Sequence, residues 1–271
     1  MALITLTTDI GPRDFLVGGI KGQLLRIDPQ FTLLDISHSL SPFNAPQAAY
    51  VCRNAFRQFP PMTFHMVLAN LFDHRSDHLL FAYHKEQYIL CADNGLLTMI
   101  LEEKPEMVIG LPIERNKPVN TLHYVSMMGN AIFELQNGKS LEKIGLPDVS
   151  YIEKKDLRPS FSEGWIEGQI IFIDQFENVV LNITREEFEY HRQGRPFKII
   201  FKRDEVIDRI SNSYADVQEG EKLAMFNSAG YLEIAINKGN AAGLFGLQRF
   251  SEQSQNQQNR LFYQSARIYF E

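Results

Sequence analysis

A carboxylate that directly follows an apolar strand is a candidate ligand-binding group, and Asp9 is such a residue. It stands in the run 7–11 (TTDIG), immediately after the β-rich stretch Leu3–Thr7. Open α/β sheets bind ligands at the carboxyl ends of their strands, and an ionised carboxylate can accept protons from both hydroxyl groups of a ribose. The same position also suits a helix N-cap or a turn aspartate, so the sequence leaves both interpretations of Asp9 open.

Residues 73–78 (DHRSDH) form the densest cluster of reactive side chains in the sequence. Two of them, His74 and His78, are four residues apart and have flanking carboxylates, a spacing that can hold a metal ion. No third ligand is identifiable, so a solvated loop is favoured over a metal site. The run 93–95 (DNG) leaves a similar choice, between ligand binding by Asp93 and a tight turn, and the turn is favoured.

Two polar runs in the second half of the chain stand next to stretches with strand character. Residues 174–178 (DQFEN) follow a very apolar stretch, and residues 227–231 (NSAGY) separate two further strand-like stretches. Asn, Asp, Ser and Gly are the common turn residues. Each run, taken alone, therefore predicts a turn.

Three common motifs are excluded by spacing. Residues 137–140 (NGKS) are similar to the end of a phosphate-binding P-loop, but Phe133 stands where that motif needs a glycine. Gly18, Gly19 and Gly22 do not fit GxGxxG, and we expect them instead to allow close packing of a helix on a sheet. The sequence also contains no GxSxG for a nucleophilic serine. These three chemistries are therefore not predicted.

The elements that must position the candidates of the first half alternate between strands and helices. The apolar residues of Phe15–Ile27 recur with a helical period, whereas Leu3–Thr7 is a short β-rich run. This alternation predicts a largely parallel sheet with helices on its faces, so residues 1–140 are expected to form an N-terminal α/β domain. The predicted strands are Leu3–Thr7, Phe31–Ile36, Thr63–Ala69, Leu79–Tyr83, Tyr88–Ala92 and Met107–Ile109, and the predicted helices are Phe15–Ile27, Ala45–Phe59, Leu96–Leu101 and Ser126–Gln136.

The second half has a different pattern, mainly of strands. Residues 141–163 are predicted to be a linker, and residues 164–271 a small β-sandwich or barrel with one helix at Arg185–His191. Residues 251–259 (SEQSQNQQN) are of low complexity and predict a mobile loop, after which Leu261–Phe270 is expected to return as an edge strand. The other predicted strands are Trp165–Ile173, Val179–Ile183, Phe197–Phe201, Lys222–Phe226 and Tyr231–Ile236.

Composition and charge argue against some classes of binding partner. The chain has 271 residues, of which 44% are hydrophobic and 22% charged, and a formal net charge of −6. Negative charge spread along the chain argues against nucleic acid and against an anionic membrane surface. Cys52 and Cys91 fit neither a zinc site nor a disulfide framework, and we predict two buried, reduced thiols.

The expected compartment follows from segments that the sequence lacks. No basic residue precedes Arg13, so the start of a secretory signal peptide is not recognisable. There is also no apolar run of 18 residues that would predict a transmembrane helix. We therefore expect a cytoplasmic protein.

Seven stretches, in order along residues 4–246, together resemble the S-adenosylmethionine (SAM) hydroxide adenosyltransferase family, relatives of the fluorinases and chlorinases. The resemblance implies a Rossmann-like α/β domain followed by a β-barrel-like domain. It further implies a homotrimer with a small-molecule nucleoside ligand between the N-terminal domain of one subunit and the C-terminal domain of the next. The matching stretches are Ile4–Gly11 (ITLTTDIG), Arg13–Gly22 (RDFLVGGIKG), Leu34–His38 (LDISH), Asp93–Leu97 (DNGLL), Asp174–Ile183 (DQFENVVLNI), Tyr214–Val217 (YADV) and Asn227–Asn237 (NSAGYLEIAIN).

The resemblance assigns binding roles to residues of suitable type. A flat, neutral base suits aromatic faces and one amide, and an α-ammonium group suits a carboxylate. SAM is implied as the substrate, with no further cofactor and no metal. The family's ribose-binding position corresponds to Asp9, its adenine-binding positions to Phe176, Asn178 and Tyr214, and its contacts to the methionine portion to Asp174 and Ser228.

The family's hydrolases carry an Asp, an Arg and a His at the positions of the chemistry, and this sequence differs at all three. An ungapped match places Asn70, Asp77 and Met128 there. We predict a SAM hydrolase-like enzyme in which water attacks the 5′ carbon of the ribose and releases adenosine and L-methionine. The water-orienting role is expected to fall to Asn70 and to Asp73, Arg75 and Asp77 of the following loop.

Other functions are weighed against hydrolysis. The main alternative is a non-catalytic protein that binds adenosine or SAM on the same scaffold, because the three positions of the chemistry are changed. A halide-using enzyme is disfavoured, since residues 70–77 do not suggest an apolar, serine-lined halide pocket. A metal-dependent enzyme that uses His74 and His78 is the least favoured.

Overall fold

The computed structural model describes residues 2–114, 119–202, 205–247 and 264–271. The chain divides into two compact units, Met1–Asp156 and Leu157–Glu271. The division falls inside the segment 141–163 that the sequence predicts to be a linker. Each unit has a hydrophobic core of its own, as expected of a separate domain.

Within the described residues, the first unit contains a seven-stranded sheet with helices on both faces. Its strands are β1 (Leu3–Thr8), β2 (Thr32–Ser37), β3 (Phe64–Leu68), β4 (His78–His84), β5 (Gln87–Ala92), β6 (Met107–Pro112) and β7 (Leu146–Pro147). Its helices are α1 (Leu16–Ile27), α2 (Ala45–Phe56), α3 (Leu96–Leu101), α4 (Thr121–Gln136) and α5 (Leu141–Ile144).

The strand order across this sheet is β2-β1-β3-β5-β4-β6-β7. The first four strands of that order are parallel, whereas β4, β6 and β7 pair in antiparallel fashion. The prediction of a largely parallel sheet is therefore correct only for half of the sheet. The cause is the tight turn between β4 and β5, where Lys85 and Glu86 have φ of 45° and 62°, because a two-residue turn can join only antiparallel strands.

The two faces of the sheet are covered by different helices. Helices α1 and α4 pack together on one face, and α2 and α3 on the other. Alternate residues of β3 serve the two cores: Phe64 and Met66 pack with α1 and α4, whereas Val67 packs with α2 and α3. The crossover from β1 to β2 thus lies on the face opposite to the crossover from β2 to β3.

Two helices end or begin away from their predicted positions. Helix α4 begins at Thr121, five residues before the predicted start, because the side chain of Asn120 accepts a hydrogen bond from the His123 backbone and caps the helix. Helix α2 ends at Phe56, ahead of Pro60. The predicted bounds missed the asparagine cap and extended α2 too close to the proline.

The packing role predicted for Gly18, Gly19 and Gly22 is wrong. A Cβ added to Gly18 or Gly22 would meet no atom within 4 Å, and at Gly19 it would make an ordinary contact. The close approach between helices α1 and α4 depends instead on Gly129 of α4, where a Cβ would lie 2.8 Å from Leu24 Cδ2. Gly129 therefore allows α4 to pack tightly on α1.

The second unit is built mainly of strands, and its described residues form an eight-stranded sheet. Its strands are β8 (Ser160–Ser162), β9 (Trp165–Ile173), β10 (Val179–Thr184), β11 (Phe197–Lys202), β12 (Glu205–Ile207), β13 (Lys222–Phe226), β14 (Tyr231–Ile236) and β15 (Ser265–Phe270). Its helices are α6 (Arg185–Arg192), α7 (Ala241–Leu244) and a single 3₁₀ turn at Tyr214–Asp216.

This sheet curls until its two ends almost meet. Its main order is β12-β11-β15-β9-β10-β14-β13, and a bridge between Ile210 and Ala224 brings the chain after β12 beside β13. The apolar side chains inside, among them Phe188, Leu232 and Ile268, form the core. The unit is therefore nearly barrel-shaped, which agrees with the predicted small sandwich or barrel.

The C-terminal strand does not have the predicted edge position. Strand β15 pairs with β11 on one side and with β9 on the other. It alternates buried and more exposed residues, which suits a strand that lines one face of a curled sheet. The predicted mobile loop 251–259 and residues 261–263 of the predicted strand lie outside the described residues.

The structure also bears on the two cysteines and on membrane-spanning helices. Cys52 and Cys91 are buried and free, as predicted. Among the helices in the described part of the chain, none has both the length and the hydropathy needed to span a bilayer.

Candidate functional site

The polar residues of the first unit converge on the edge where its parallel strands end. The chain passes from β1 to β2 on one side of β1 and then to β3 on the other side, so the crevice between β1 and β3 is a topological switch point. Open α/β sheets bind their ligands in such crevices. Asp9 directly follows β1, and Asn70 stands two residues after β3. The predicted ligand residue Asp9 is therefore at the expected place.

The carboxylate of Asp9 is partly buried and is fixed by the backbone of the neighbouring strand end. Its Oδ2 accepts a hydrogen bond of 2.8 Å from the backbone N–H of Asn70. Burial raises the pKa of Asp9, and this effect outweighs the backbone hydrogen bonds, which favour the charged form. The remaining lone pairs of the carboxylate can accept protons from ligand hydroxyl groups.

Asn70 connects this edge to two other segments. It has a left-handed backbone, with φ of 49°. Its side-chain Oδ1 accepts a hydrogen bond of 2.8 Å from the backbone N–H of Phe43, and its carbonyl accepts one of 3.0 Å from Asn94 Nδ2. Asn70 therefore contacts the loops that follow β1, β2 and β5.

The predicted turn at residues 93–95 is confirmed. Asn94 N–H donates to the Ala92 carbonyl, and Gly95 has φ of 86°. The Asp93 carboxylate accepts a hydrogen bond of 2.7 Å from the backbone of Ile152, and its other oxygen lies 3.5 Å from His78 Nε2. Asp93 thus anchors the segment around Ile152 to the same edge.

Sequence reasoning missed His38, which follows β2 at this edge. Its Nδ1 lies 3.0 Å from Thr8 Oγ1, and its Nε2 lies 3.0 Å from Asp35 Oδ1. Burial raises the pKa of Asp35, but the contacts with Lys21 and His38 outweigh it and lower the pKa overall. His38 belongs to the stretch Leu34–His38, which contributes to the family resemblance, but no role was predicted for it from the sequence.

The loop that was predicted to orient water lies next to Asn70 and is exposed. The Asp73 backbone donates to the Asn70 carbonyl at 3.2 Å, and Asp73 Oδ2 lies 3.7 Å from Lys154 Nζ. Arg75 and Asp77 are exposed side chains further along the loop. The loop therefore begins at the candidate site and carries exposed, charged side chains.

Met128 and the two histidines of the cluster differ in their surroundings. Met128 is fully buried in the core between α4 and the sheet. His74 is exposed, and His78 begins β4. In the described ranges, no three His, Cys, Asp or Glu side chains lie close enough together to hold a metal ion.

In the second unit, the predicted turn at Asp174–Asn178 joins β9 to β10. Asp174 Oδ1 accepts backbone hydrogen bonds from Phe176 at 2.9 Å and Asn178 at 2.8 Å, and its Oδ2 accepts one of 3.0 Å from Asn178 Nδ2. The ring of Phe176 is 76% exposed at the tip of the turn. The fold thus brings these three predicted ligand residues together.

Tyr214 meets a buried carboxyl that sequence reasoning missed. Its hydroxyl donates a hydrogen bond of 2.5 Å to Glu233 Oε1, and its ring is 40% exposed. Burial raises the pKa values of both groups, and the nearby charge of Asp174 raises them further. The signal for Glu233 was a charged residue in the middle of the apolar stretch 231–236.

Ser228 lies in the predicted turn between β13 and β14. Asn227 Oδ1 accepts backbone hydrogen bonds from Ala229 and Tyr231, at 3.0 and 3.2 Å, and so closes the turn. The Asn227 side chain also hydrogen-bonds to Glu233. Ser228 is exposed, so its turn is tied through Asn227 to the Tyr214–Glu233 pair.

Both units match the models of one protein family. The model for the SAM hydroxide adenosyltransferase N-terminal domain matches residues 4–145, and the model for the C-terminal domain of the same family matches residues 168–253. The chain belongs to the SAM hydroxide adenosyltransferase family. The candidate residues of both units lie inside the matched ranges, which confirms the resemblance seen in the sequence.

Relatives of this SAM hydroxide adenosyltransferase family member span nearly its whole length. The chain is 28% identical over 260 residues to an (R)-S-adenosyl-L-methionine hydrolase of Methanocaldococcus jannaschii, covering 92% of this chain and 94% of that protein. It is 26% identical to a fluorinase of Actinopolyspora mzabensis, covering 90% and 94%. A crystal structure of an uncharacterised conserved protein from Thermotoga maritima has a TM-score of 0.81 and 26% identity, covering 98% and 99%.

Proposed function

We propose that this protein hydrolyses SAM, with water attacking the 5′ carbon of the ribose to give adenosine and L-methionine. The observation that carries the proposal is the position of Asp9. Its partly buried carboxylate is held by the Asn70 backbone at the switch point of the sheet, in a chain whose aligned relatives include named SAM hydrolases. A ribose offers the two hydroxyl donors that such a carboxylate accepts.

The adenine and the methionine portion are assigned to the second unit. In the proposal, Phe176 and Tyr214 stack on the adenine, and Asn178 hydrogen-bonds its edge. Support comes from the exposed rings of both aromatic residues, since stacking on an exposed ring covers apolar surface. Asp174 and Ser228 are assigned to the methionine portion, where a carboxylate would neutralise the α-ammonium group.

The chemical step requires orientation more than proton transfer to the leaving group. Water oxygen forms a bond to the 5′ carbon while the carbon–sulfur bond breaks, and its electron pair stays on sulfur as a neutral thioether. The proton lost by the water passes to solvent. Catalysis then depends on holding the water in line with the breaking bond, a role proposed for Asn70 and for Asp73, Arg75 and Asp77. SAM is the substrate, and the proposal uses no cofactor.

The proposal also includes an assembly. The N-terminal unit is proposed to be Rossmann-like, and the protein is proposed to act in the cytoplasm. Three copies are proposed to form a ring, with each ligand bound between two subunits. A cyclic trimer repeats one heterologous contact three times, so each interface would create one site. The exposed rings of Phe43 and Phe176, which are 79% and 76% accessible in the single chain, are surfaces that such interfaces would cover.

Turnover is tested by incubating the purified protein with SAM and separating the products by chromatography. We expect adenosine and L-methionine in equal amounts above the uncatalysed background, and at least about 100-fold slower product formation by Asp9→Ala protein below saturating SAM. Asn130→Ala is a matched control, because Asn130 is exposed and bonds within its own helix. Adenosine binding without product over long incubation would refute hydrolysis and support the non-catalytic alternative.

The intersubunit site is tested by mixing two inactive variants. Asp9→Ala and Asn178→Ala protein are combined and allowed to exchange subunits. If sites form between subunits, some interfaces pair two unmutated halves, and part of the adenosine binding returns. Demonstrated exchange without any recovery would place the site within one chain instead.

A further inference from the structure

Asn70 is the junction of the candidate edge in the first unit. Its backbone N–H donates to Asp9 Oδ2 at 2.8 Å, its side-chain Oδ1 accepts from the Phe43 N–H at 2.8 Å, and its carbonyl accepts from Asn94 Nδ2 at 3.0 Å. We propose that Asn70 is a positioning residue, which ties the loop of Phe43 to the strand end that holds the Asp9 carboxylate and so sets the affinity for the ribose portion of the ligand. The proposal rests on the assignment of Asp9 to the ribose.

The backbone of Phe43 shows why an external anchor is needed. Phe43 has φ of 61°, in the left-handed region that is costly for a bulky side chain. Its ring is 79% exposed, so packing of the ring does not compensate for that cost. The turn at residues 41–44 has one internal backbone hydrogen bond, from the Asn44 N–H to the Ser41 carbonyl. Its N···O distance of 3.3 Å is long. The shorter bond to Asn70 Oδ1 therefore holds Phe43 in place.

The residue type at position 70 fits this role. Asparagine tolerates the left-handed conformation that Asn70 adopts, with φ of 49°. An aspartate could also accept the Phe43 hydrogen bond, but it would place a second negative charge beside Asp9. A neutral amide keeps the anchor without disfavouring the ionised form of Asp9.

The same bond limits what Asn70 can do in the reaction. Its Oδ1 has two lone pairs, and the Phe43 N–H occupies one of them, so a single lone pair is left for an attacking water. Most of the orientation of the water is therefore assigned to the loop that begins at Asp73. Asn70 acts on the ligand through Asp9 and Phe43.

A double-mutant cycle tests whether Asn70 acts through Phe43. Adenosine binding is measured by calorimetry at pH 8 for Asn70→Ala, Phe43→Gly and the double variant. We expect Asn70→Ala to bind about tenfold more weakly, which is the effect of losing one hydrogen bond. Phe43→Gly keeps the backbone N–H and adopts the left-handed backbone without strain, so it should bind within about threefold of the parent. In that background Asn70→Ala should cost little further affinity, because the strained residue that it anchors is gone. Asn130→Ala protein, which removes an exposed amide of α4, should bind like the parent.

A pH series with Asn70→Asp separates positioning from a general loss of structure. Because the carboxylate keeps the Phe43 anchor, affinity at pH 8 should stay within about threefold of the parent. Because the new charge sits on the residue whose backbone N–H binds Asp9, the pH at which adenosine binding is half lost should rise by about one unit. Asn70→Ala keeps the backbone bond to Asp9, so its midpoint should not move. Thermal unfolding and circular dichroism of each variant report whether it is folded.

Several results would overturn the role of Asn70. Adenosine affinity of Asn70→Ala within twofold of the parent would do so, as would fully additive losses in the cycle or an unmoved midpoint for Asn70→Asp. Normal binding with lost turnover in Asn70→Ala would make Asn70 a catalytic residue instead. Failure of the proposed hydrolysis is a different result, since parent protein would then bind adenosine but release none from SAM.

Discussion

Arg53 holds together three segments of the first unit, and replacing it should loosen the edge that carries the candidate site. Arg53 belongs to α2, and its side chain is buried. Its guanidinium donates to the carbonyls of Met99 and Ile100 near the end of α3 and to the carboxylate of Asp156. A further oxygen, Glu102 Oε1, lies 3.3 Å away. The substitution Arg53→Met keeps an unbranched side chain of similar length and removes the charge.

The expected cost follows from what remains after the change. The side chain of Asp156 is only 14% exposed, so its carboxylate would lose the guanidinium in a place that water reaches poorly. Removing one partner of a buried ion pair typically costs about 3–5 kcal/mol. Two helix-end carbonyls would also lose their donor. We therefore expect the free energy of unfolding of the first unit to fall by about 3–5 kcal/mol.

The damage should spread to the candidate edge through residues close to Asp156 in the chain. The Ile152 backbone donates to Asp93 Oδ1 at 2.7 Å, and the Lys154 backbone donates to Thr98 Oγ1 at 2.9 Å. Both backbone amides should exchange with deuterium faster in Arg53→Met protein. The assay is urea unfolding followed by circular dichroism, combined with hydrogen exchange, with the amides of β10 in the second unit as an internal reference.

Two further variants separate the loss of the buried ion pair from the loss of a charge in general. Arg57→Met removes an exposed charge at the end of the same helix and should cost less than about 1 kcal/mol. Adding Asp156→Asn to Arg53→Met removes the buried charge and should recover about 1–2 kcal/mol. Equal losses for Arg53→Met and Arg57→Met, or no recovery in the double variant, would contradict the buried ion pair as the cause.

Three other outcomes are expected. Asp9→Ala should weaken adenosine binding about 10²–10⁴-fold in calorimetry, because two hydroxyl bonds to a charged acceptor are each worth about 1.5–3 kcal/mol; a loss below tenfold would contradict the ribose role. Burial raises the pKa of Asp9, and the ionised carboxylate is the form that binds the ribose. The affinity for adenosine should therefore fall on acidification at a higher pH than it would if an exposed aspartate bound the ribose. Calorimetry at a series of pH values from 8 to 4 checks this. Burial lowers the pKa of His65 to about 4. Below about pH 6.5 the unfolded state therefore binds a proton that the folded state does not bind until about pH 4. The free energy of unfolding should fall by about 3 kcal/mol as the pH is lowered from about 6.5 to about 4. Urea unfolding should show that fall in the parent protein and a flatter profile for His65→Gln.

Features that depend on neighbours in the sequence were predictable. The strand Trp165–Ile173 and the helix Leu96–Leu101 have the predicted bounds, because hydrophobic periodicity is a local property of the backbone. The buried state of Cys52 and Cys91 followed in the same way from their apolar surroundings. The position of Asp9 was also predictable, since a carboxylate after the first strand of an open sheet must lie at its carboxyl edge.

What the sequence determined by itself is therefore the order of the main elements, the family and the place of Asp9 directly after the first strand. The tertiary structure alone decided the partners of those residues. Asn70 meets Asp9 across 61 residues of chain and Phe43 across 27, and Tyr214 meets Glu233 across 19. Such contacts join residues that no local pattern links, because they depend on which strands lie side by side and in which register.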